Sequence, residues 1–314
     1  MARAFVFPGQ GSQAVGMGRE LHEAFAAARE VYQEVDDALD QNLTRLIFEG
    51  PEDELTLTEN AQPALMATSL AVVRVIEREG GIPLSDKGTF VAGHSLGEYS
   101  ALAAAGAMGL ADTARLLRRR GQAMQSAVPV GEGAMVAVLG LDLQDVRAVA
   151  ESAAAASGGV CEVANDNAPG QVVLSGAAAA VAQAVALAFE RGARRAMALP
   201  VGAPFHCSLL APAAEAMAEA LADVTIAAPA PTLIANVTAA PVADPEAIRK
   251  LLVEQVTGLV RWRECVLRMM KSDVDTLVEL GAGKVLANLT RRIDKALSGI
   301  AVLAPADVES LIAA

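Results

Sequence analysis

Apolar residues recur along most of the chain with the spacing of helices, separated by short apolar runs. In residues 62–79, Leu, Val and Ile return at helical spacing, and two glycines follow at 80 and 81. Runs such as 4–7 and 89–92 are β-branched or aromatic and predict short buried strands. Strands that alternate with helices indicate a mostly parallel sheet covered on both faces.

This pattern covers both ends of the chain. Its predicted strands are 4–7, 89–92, 232–236, 276–280 and 300–303. Its predicted helices are 19–40, 43–48, 62–79, 98–105, 111–127, 209–222, 246–254, 262–270 and 285–297. We assign residues 1–129 and 202–314 to one large α/β domain.

The pattern of predicted strands and helices changes after a break at Val128-Pro129-Val130-Gly131. The order of elements becomes strand, helix, strand, strand, helix, strand, which is that of a ferredoxin-like unit. Its predicted strands are 134–139, 160–164, 171–174 and 195–201, its helices are 143–156 and 177–191, and a loop covers 165–170. We expect residues 130–201 to form a small inserted domain.

Composition narrows the class of protein. The chain has 314 residues, of which 53% are hydrophobic and 20% charged, as in a globular protein. Its net charge of −12 argues against nucleic acid as a partner. The most apolar window, 177–189, is too short to span a bilayer, and residues 1–8 lack the apolar core of a signal peptide. Three cysteines, widely spaced, indicate neither a disulfide framework nor a metal cluster: Cys161, Cys207 and Cys265. We therefore expect a soluble cytoplasmic protein with reduced thiols.

The segment Gly93-His94-Ser95-Leu96-Gly97 lies between a predicted strand and a predicted helix. Strand, G-x-S-x-G and helix form the nucleophile elbow of α/β-hydrolase-like proteins, in which a sharp turn exposes the serine hydroxyl. The helix that follows directs its positive end toward Ser95, where it favours developing negative charge. We predict an α/β-hydrolase-like large domain with Ser95 as its nucleophile.

A serine nucleophile needs a base, and the chain has three histidines. His22 lies among charged residues and is expected to face solvent, and His94 adjoins Ser95 and is expected to support the turn. His206 remains, in a loop between a strand and a helix, where catalytic groups are often presented. A purely structural histidine at a helix start is the alternative. No aspartate partner is evident, and a backbone or amide carbonyl could orient the ring instead.

The glycine loop at residues 7–13 reads Phe-Pro-Gly-Gln-Gly-Ser-Gln. Its glycines at 9 and 11 nominally fit a dinucleotide-binding fingerprint, but no second strand ending in an acid follows about 20 residues later. An oxyanion hole suits the loop better. An amide of this Gly-Gln-Gly loop would then point at the acyl oxygen, with the backbone N–H of Leu96 as the other donor.

Arg120 lies on the apolar side of its predicted helix, whereas Arg118 and Arg119 are expected to face outward. A buried arginine is costly unless it is paired. Arg120 is therefore expected either to pair with a protein carboxylate or to bind a substrate carboxylate, with which it would form two hydrogen bonds.

Together these motifs resemble the malonyl-CoA:acyl carrier protein transacylase family, the acyltransferases of fatty acid and polyketide synthesis. The segments that carry the resemblance follow the family's order, and they are 7–13, 93–101, 120–121, 167–171, 204–206 and 260–262. The chain departs from the family's pattern at 202–204 and at 258–260. Phe205 resembles the residue found in malonyl-selecting members.

The resemblance implies a role for each candidate residue. Ser95 attacks the malonyl thioester with His206 as its base, the Gln10 and Leu96 amides hold the oxyanion, and Arg120 binds the malonyl carboxylate. In this family a main-chain carbonyl near a glutamine orients the histidine, and Gln255 matches that position.

The implied reaction moves malonyl from coenzyme A to Ser95 and then to the phosphopantetheine thiol of holo-acyl carrier protein. It needs no metal or nucleotide cofactor, only the coenzyme A thioester as substrate. We expect a monomer with neither nucleic acid nor membrane as partner. Carrier proteins are usually acidic, so two basic clusters are candidate docking sites: Arg191, Arg194 and Arg195, or Arg291 and Arg292. A hydrolase with the same elbow and a non-catalytic carrier-binding module are the alternatives.

Overall fold

A computed structural model describes residues 2–81 and 83–313; residues 1, 82 and 314 lie outside the described part. The strands are β1 (Ala2–Phe7), β2 (Phe90–Gly93), β3 (Gly133–Leu139), β4 (Cys161–Ala168), β5 (Gln171–Ala177), β6 (Arg195–Ala198), β7 (Thr232–Ile234), β8 (Pro241–Val242), β9 (Val274–Leu280) and β10 (Ser298–Val302). The helices are α1 (Arg19–Ala24), α2 (Ala26–Leu39), α3 (Leu43–Glu49), α4 (Glu52–Thr56), α5 (Thr58–Gly80), α6 (Leu84–Lys87), α7 (Gly97–Ala104), α8 (Leu110–Ser126), α9 (Leu143–Ser157), α10 (Ala178–Glu190), α11 (Ala211–Ala222), α12 (Pro245–Thr257), α13 (Trp262–Met270), α14 (Val285–Ile293) and α15 (Pro305–Ala313). No helix in these residues is both long and apolar enough to cross a membrane.

The large sheet has the strand order β10-β9-β1-β2-β7-β8. All neighbours pair in parallel except the edge strand β8, which is antiparallel to β7. Phe5 and Phe7 of β1 pack into the core on one face, and Ala4 and Val6 pack into the core on the other. This alternation follows from the two-residue period of a strand, and it confirms a mostly parallel sheet covered on both sides.

The small sheet is antiparallel, with the order β4-β5-β3-β6, and α9 and α10 pack on it around a core of their own. The predicted order of elements and the fold class are both confirmed. The domain limits at 130 and 201 stay a prediction; the sheet itself runs from residue 133 to 198.

Several predicted elements have different bounds in the structure. The single helix expected over 19–40 is two helices, because Phe25 has an extended backbone (φ −123°) between α1 and α2. The loop expected over 165–170 is wrong: β4 continues to Ala168, and Pro169-Gly170 alone connects it to β5. The expected strand over 195–201 ends at Ala198. The sequence patterns did not predict α4, α6, β8 or α15.

Candidate active site

The predicted elbow is a sharp turn between β2 and α7. Ser95 has φ +54°, a left-handed conformation that is strained for a residue with a Cβ. A Cβ on Gly93 would lie 1.9 Å from the carbonyl oxygen of Gly97, and a Cβ on Gly97 would lie 2.3 Å from the oxygen of Phe7. Both glycines are therefore required by the close approach of strand and helix.

Asn236 holds the elbow in place from the neighbouring strand. Its Oδ1 accepts a hydrogen bond from the Ser95 backbone N–H (2.8 Å), and its Nδ2 donates one to the Gly93 carbonyl (2.7 Å). Asn236 follows the end of β7, which pairs in parallel with β2. The carboxyl ends of adjacent parallel strands meet at one edge of a sheet, which brings these residues together.

Ser95 and His206 are in direct contact. The Ser95 Oγ lies 2.7 Å from His206 Nε2, and His206 Nδ1 donates to the main-chain carbonyl of Gln255 at 2.8 Å. With Nδ1 protonated, Nε2 is free to accept the serine proton. Burial, with the nearby charge of Arg120 as the second cause, lowers the pKa of His206 to about 3. The imidazole is therefore neutral at physiological pH.

The other two histidines are not placed to serve Ser95. His94 Nε2 donates to Asn167 Oδ1 (2.8 Å), an arrangement that fits the expected support of the turn. His22 was expected to face solvent, and this is wrong. It is half-buried against the edges of Tyr32 and Phe48, and desolvation lowers its pKa.

Arg120 is 1% exposed, and its guanidinium reaches the Ser95 hydroxyl. Its Nη1 donates to Gln62 Oε1 (2.9 Å), and its Nη2 donates to Gln255 Oε1 (2.8 Å) and Ser95 Oγ (3.2 Å). Among the described residues it forms no ion pair within 4 Å, and its buried Nε has no hydrogen-bond partner. Of its neighbours on α8, Arg119 is exposed as expected, but Arg118 is half-buried and donates to Gln41.

Glu98 is a buried carboxyl group that contacts this network. Its Oε2 accepts from Gln255 Nε2 (2.6 Å) and from the Asn236 backbone N–H (3.4 Å). Desolvation raises the pKa of Glu98 to about 7, although the hydrogen bond from Gln255 opposes that shift. Gln255 Nε2 also donates to the Ser95 carbonyl (2.9 Å), so one glutamine side chain connects the elbow, the carboxyl group and the arginine.

A cavity of about 80 Å³ opens onto Ser95, and Gln10, Leu96 and Arg120 also line it. Leu96 is the residue before α7, at the positive end of that helix. Within the described chain, the backbone amides of Gln10 and Leu96 donate to no protein acceptor. They are the two amides that the family resemblance implies for an oxyanion hole.

The glycine loop packs against the elbow. A Cβ on Gly9 would lie 2.8 Å from the His94 carbonyl oxygen, so this glycine is explained by the contact with the turn. Across residues 2–81 and 83–313, no group of three or more His, Cys, Asp or Glu side chains could hold a metal ion.

Four residues of the site were not predicted from the sequence: Gln62, Glu98, Asn167 and Asn236. A signal existed for Asn236, a polar residue at the end of a predicted strand in a parallel sheet. The signal for Glu98 was weaker: it is a carboxylate within an otherwise apolar stretch directly after the elbow.

The chain is similar to known proteins both in sequence and in structure. The model of the protein family described as acyl transferase domain matches residues 4–306 of this chain. The malonyl CoA-acyl carrier protein transacylase of Bacillus subtilis is 44% identical over 309 residues, which cover 98% of this chain and 96% of the relative. The crystal structure of an acyl-carrier-protein S-malonyltransferase from Bartonella henselae is 56% identical, with a TM-score of 0.97 over 100% of this chain and 99% of the other.

A further solved structure contains a carrier protein. It is described as a type II polyketide synthase acyl-carrier protein in complex with its malonyl-transacylase. The matched chain is 40% identical, with a TM-score of 0.96, and the match covers 100% of this chain and 99% of that one. The chain therefore belongs to the acyl transferase domain family, among the malonyl CoA-acyl carrier protein transacylases.

Proposed function

We propose that this protein transfers the malonyl group of malonyl-CoA to the phosphopantetheine thiol of acyl carrier protein through an acyl-enzyme on Ser95. One observation carries the proposal. The Ser95 hydroxyl lies between a neutral base, His206 at 2.7 Å, and a buried cation, Arg120 at 3.2 Å, that has no carboxylate partner among the described residues.

In the first half-reaction, Ser95 Oγ attacks the thioester carbonyl and His206 Nε2 takes its proton. The carbonyl of Gln255 stabilises the resulting imidazolium through Nδ1, in the way a carboxylate does in other triads. The tetrahedral oxyanion is held by the amides of Gln10 and Leu96. His206 then protonates the departing coenzyme A sulfur, which leaves malonyl-Ser95.

Arg120 selects the acyl group in this scheme. A carboxylate at the far end of an acyl chain on Ser95 would face the guanidinium, whose Nε and second Nη1 hydrogen are not used by described residues. Pairing there offsets the cost of a buried, uncompensated cation. A neutral acyl group such as acetyl cannot do this.

The second half-reaction runs the same steps in reverse with a different thiol. His206 accepts the proton of the phosphopantetheine thiol, the thiolate attacks malonyl-Ser95, and the proton returns to Ser95 Oγ. The same two amides hold the second oxyanion. No metal or nucleotide takes part in this proposal, and we place the reaction in the cytoplasm with the enzyme as a monomer.

We propose that the carrier docks on one basic surface that unites the two clusters. In the small sheet, Arg195 and Gln171 both pair with Leu139, so the three lie in one row across β6, β3 and β5. Arg292 of α14 donates to Gln171 Oε1 (2.6 Å) at the end of that row. Arg194 and Arg195 are exposed, as are Arg291 and Arg292. An acidic carrier would meet arginines at both ends of this row.

The deciding experiment is intact-mass measurement after mixing the protein with malonyl-CoA. We expect a malonyl adduct that maps to Ser95 and disappears when holo-acyl carrier protein is added. The Ser95→Ala protein should not label. Labelling of Ser95→Ala would refute the nucleophile, and rapid release of free malonate without carrier would identify a hydrolase. Competition with acetyl-CoA in the same assay measures acyl selectivity.

A further inference from the structure

The Gln255 side chain has only one orientation that satisfies its neighbours. The Arg120 guanidinium is a donor only, so the Gln255 atom at 2.8 Å from Nη2 must be the amide oxygen. The Ser95 carbonyl oxygen is an acceptor only, so the atom at 2.9 Å from it must be the nitrogen. Glu98 Oε2, 2.6 Å from the same nitrogen, fits this assignment.

Glu98 reaches Arg120 through this amide, and it also accepts a hydrogen bond from the Asn236 backbone N–H at 3.4 Å. It is 1% exposed, Gln255 is fully buried, and neither contacts bulk solvent that could replace the other. Among the described residues Glu98 forms no ion pair with Arg120, because the carboxamide lies between them. The arginine is thus held on its Gln255 side without a carboxylate directly on the guanidinium.

We propose that Glu98 is a positioning residue for acyl-group selection, which acts through the Gln255 carboxamide to hold Arg120 beside Ser95. This inference rests on the proposed malonyl transfer. A carboxylate substrate depends on the position of Arg120, whereas an acetyl group depends only on Ser95, His206 and the oxyanion amides. Loss of the Glu98 contact should therefore change the ratio of malonyl to acetyl transfer and not just the overall rate.

The test compares single-turnover loading of Ser95 by malonyl-CoA and acetyl-CoA in three variants. Glu98→Met removes the acceptor at similar length, and we expect the malonyl-to-acetyl ratio of kcat/KM to fall about tenfold, within the range for residues of one hydrogen-bond network. Glu98→Gln keeps an oxygen acceptor for Gln255 and should retain the ratio within about twofold. Gln255→Met removes the connection from the other side while its main-chain carbonyl still orients His206, so it tests the proposal even if Glu98→Met does not fold.

A double variant separates positioning from general support of the fold. If Glu98 acts through Gln255, adding Glu98→Met to Gln255→Met should leave the ratio of Gln255→Met unchanged. The proposal is overturned if Glu98→Met or Gln255→Met lowers malonyl and acetyl loading by the same factor, or if Glu98→Gln loses as much selectivity as Glu98→Met. If the wild-type protein does not load malonyl on Ser95, the proposed function itself fails.

Discussion

Ser95 and His206 share a hydrogen bond of 2.7 Å, and both have a positive φ, +54° and +59°. Each conformation is strained for its residue type, and such strain persists only where the surroundings determine the backbone. Asn236 holds the Ser95 turn, and the Gln255 carbonyl holds the ring of His206. The contact between Ser95 and His206 therefore depends on Asn236 and on the Gln255 carbonyl, and substitutions can test that dependence.

The neutral state of His206 is the first prediction. Burial and the charge of Arg120 lower its pKa to about 3, so the imidazole should stay unprotonated as the pH falls through the usual histidine range near 6.5. NMR titration of the three histidine rings, with the His206 signal assigned by its loss in His206→Gln, measures this directly. A His206 signal that titrates near pH 6.5 would contradict the buried, neutral base.

Arg120→Ala should lose malonyl loading of Ser95 by about a hundredfold or more, because a buried charge pair with the substrate is lost. Acetyl loading should remain or increase, since no carboxylate needs a partner. Arg119→Ala is the matched control: it removes an exposed arginine of the same helix and should leave both rates unchanged. Equal loss for malonyl and acetyl in Arg120→Ala would show that the arginine is structural.

Gly93→Ala should abolish the elbow, because the new Cβ would lie 1.9 Å from the backbone of Gly97. Backbone cannot move aside as a flexible side chain can, so we expect either an unfolded protein or a folded one without Ser95 acylation. Gly109→Ala is the control. Its φ is −68° and its nearest contact is 3.7 Å away, so only a helix-cap cost of about 1 kcal/mol is expected. Thermal unfolding and the mass assay check both, and a fully active Gly93→Ala protein would refute the steric argument.

The candidate catalytic residues, which the structure brings together, were easier to predict from the sequence than the residues that support them. Ser95 was identified by a local pattern, His206 by elimination among three histidines, and Arg120 by its position on the apolar side of a helix. Gln62 and Asn236 were missed because their partners, Arg120 and Ser95, are 58 and 141 residues away. Local periodicity specifies which face is buried, but not which side chains meet there.

The prediction of a loop at 165–170 was wrong for the same reason, because contacts with distant parts of the chain are not visible in a local pattern. Asn165, Asp166 and Asn167 are typical turn residues, and their composition predicts a loop. In the structure, Asn165 pairs with Val260, and Asp166 forms an ion pair with Arg263 at 2.9 Å. These tertiary contacts satisfy the polar groups within a strand, so local propensity is overridden.

The ionisation of Glu98 makes a prediction about stability. Its pKa is raised from 4.5 to about 7 on folding, so between these values the folded state holds a proton that the unfolded state has released. Stability contributed by Glu98 is thus present below pH 4.5 and lost as the pH rises through 7, by at most about 1.4 kcal/mol per pH unit. Glu98→Gln does not titrate, so its free energy of unfolding should rise relative to wild type over this window. Chemical denaturation at pH 5, 6, 7 and 8 measures the difference, and a constant difference would contradict the raised pKa.

Charge reversal tests the carrier surface. In Arg195→Glu/Arg292→Glu, the row that ends on the Arg292–Gln171 hydrogen bond becomes acidic and should repel an acidic carrier. Transfer from preloaded malonyl-Ser95 to holo-carrier isolates this step from binding of coenzyme A. We expect the carrier KM to rise about tenfold and its salt dependence to weaken or reverse. Charges at the rim of an interface act mainly on the rate at which the two proteins associate. The control is Arg45→Glu/Arg115→Glu, which changes the net charge equally at exposed positions on α3 and α8. If both double variants show the same KM and the same salt dependence, the carrier does not dock on this row and the basic surface has another role.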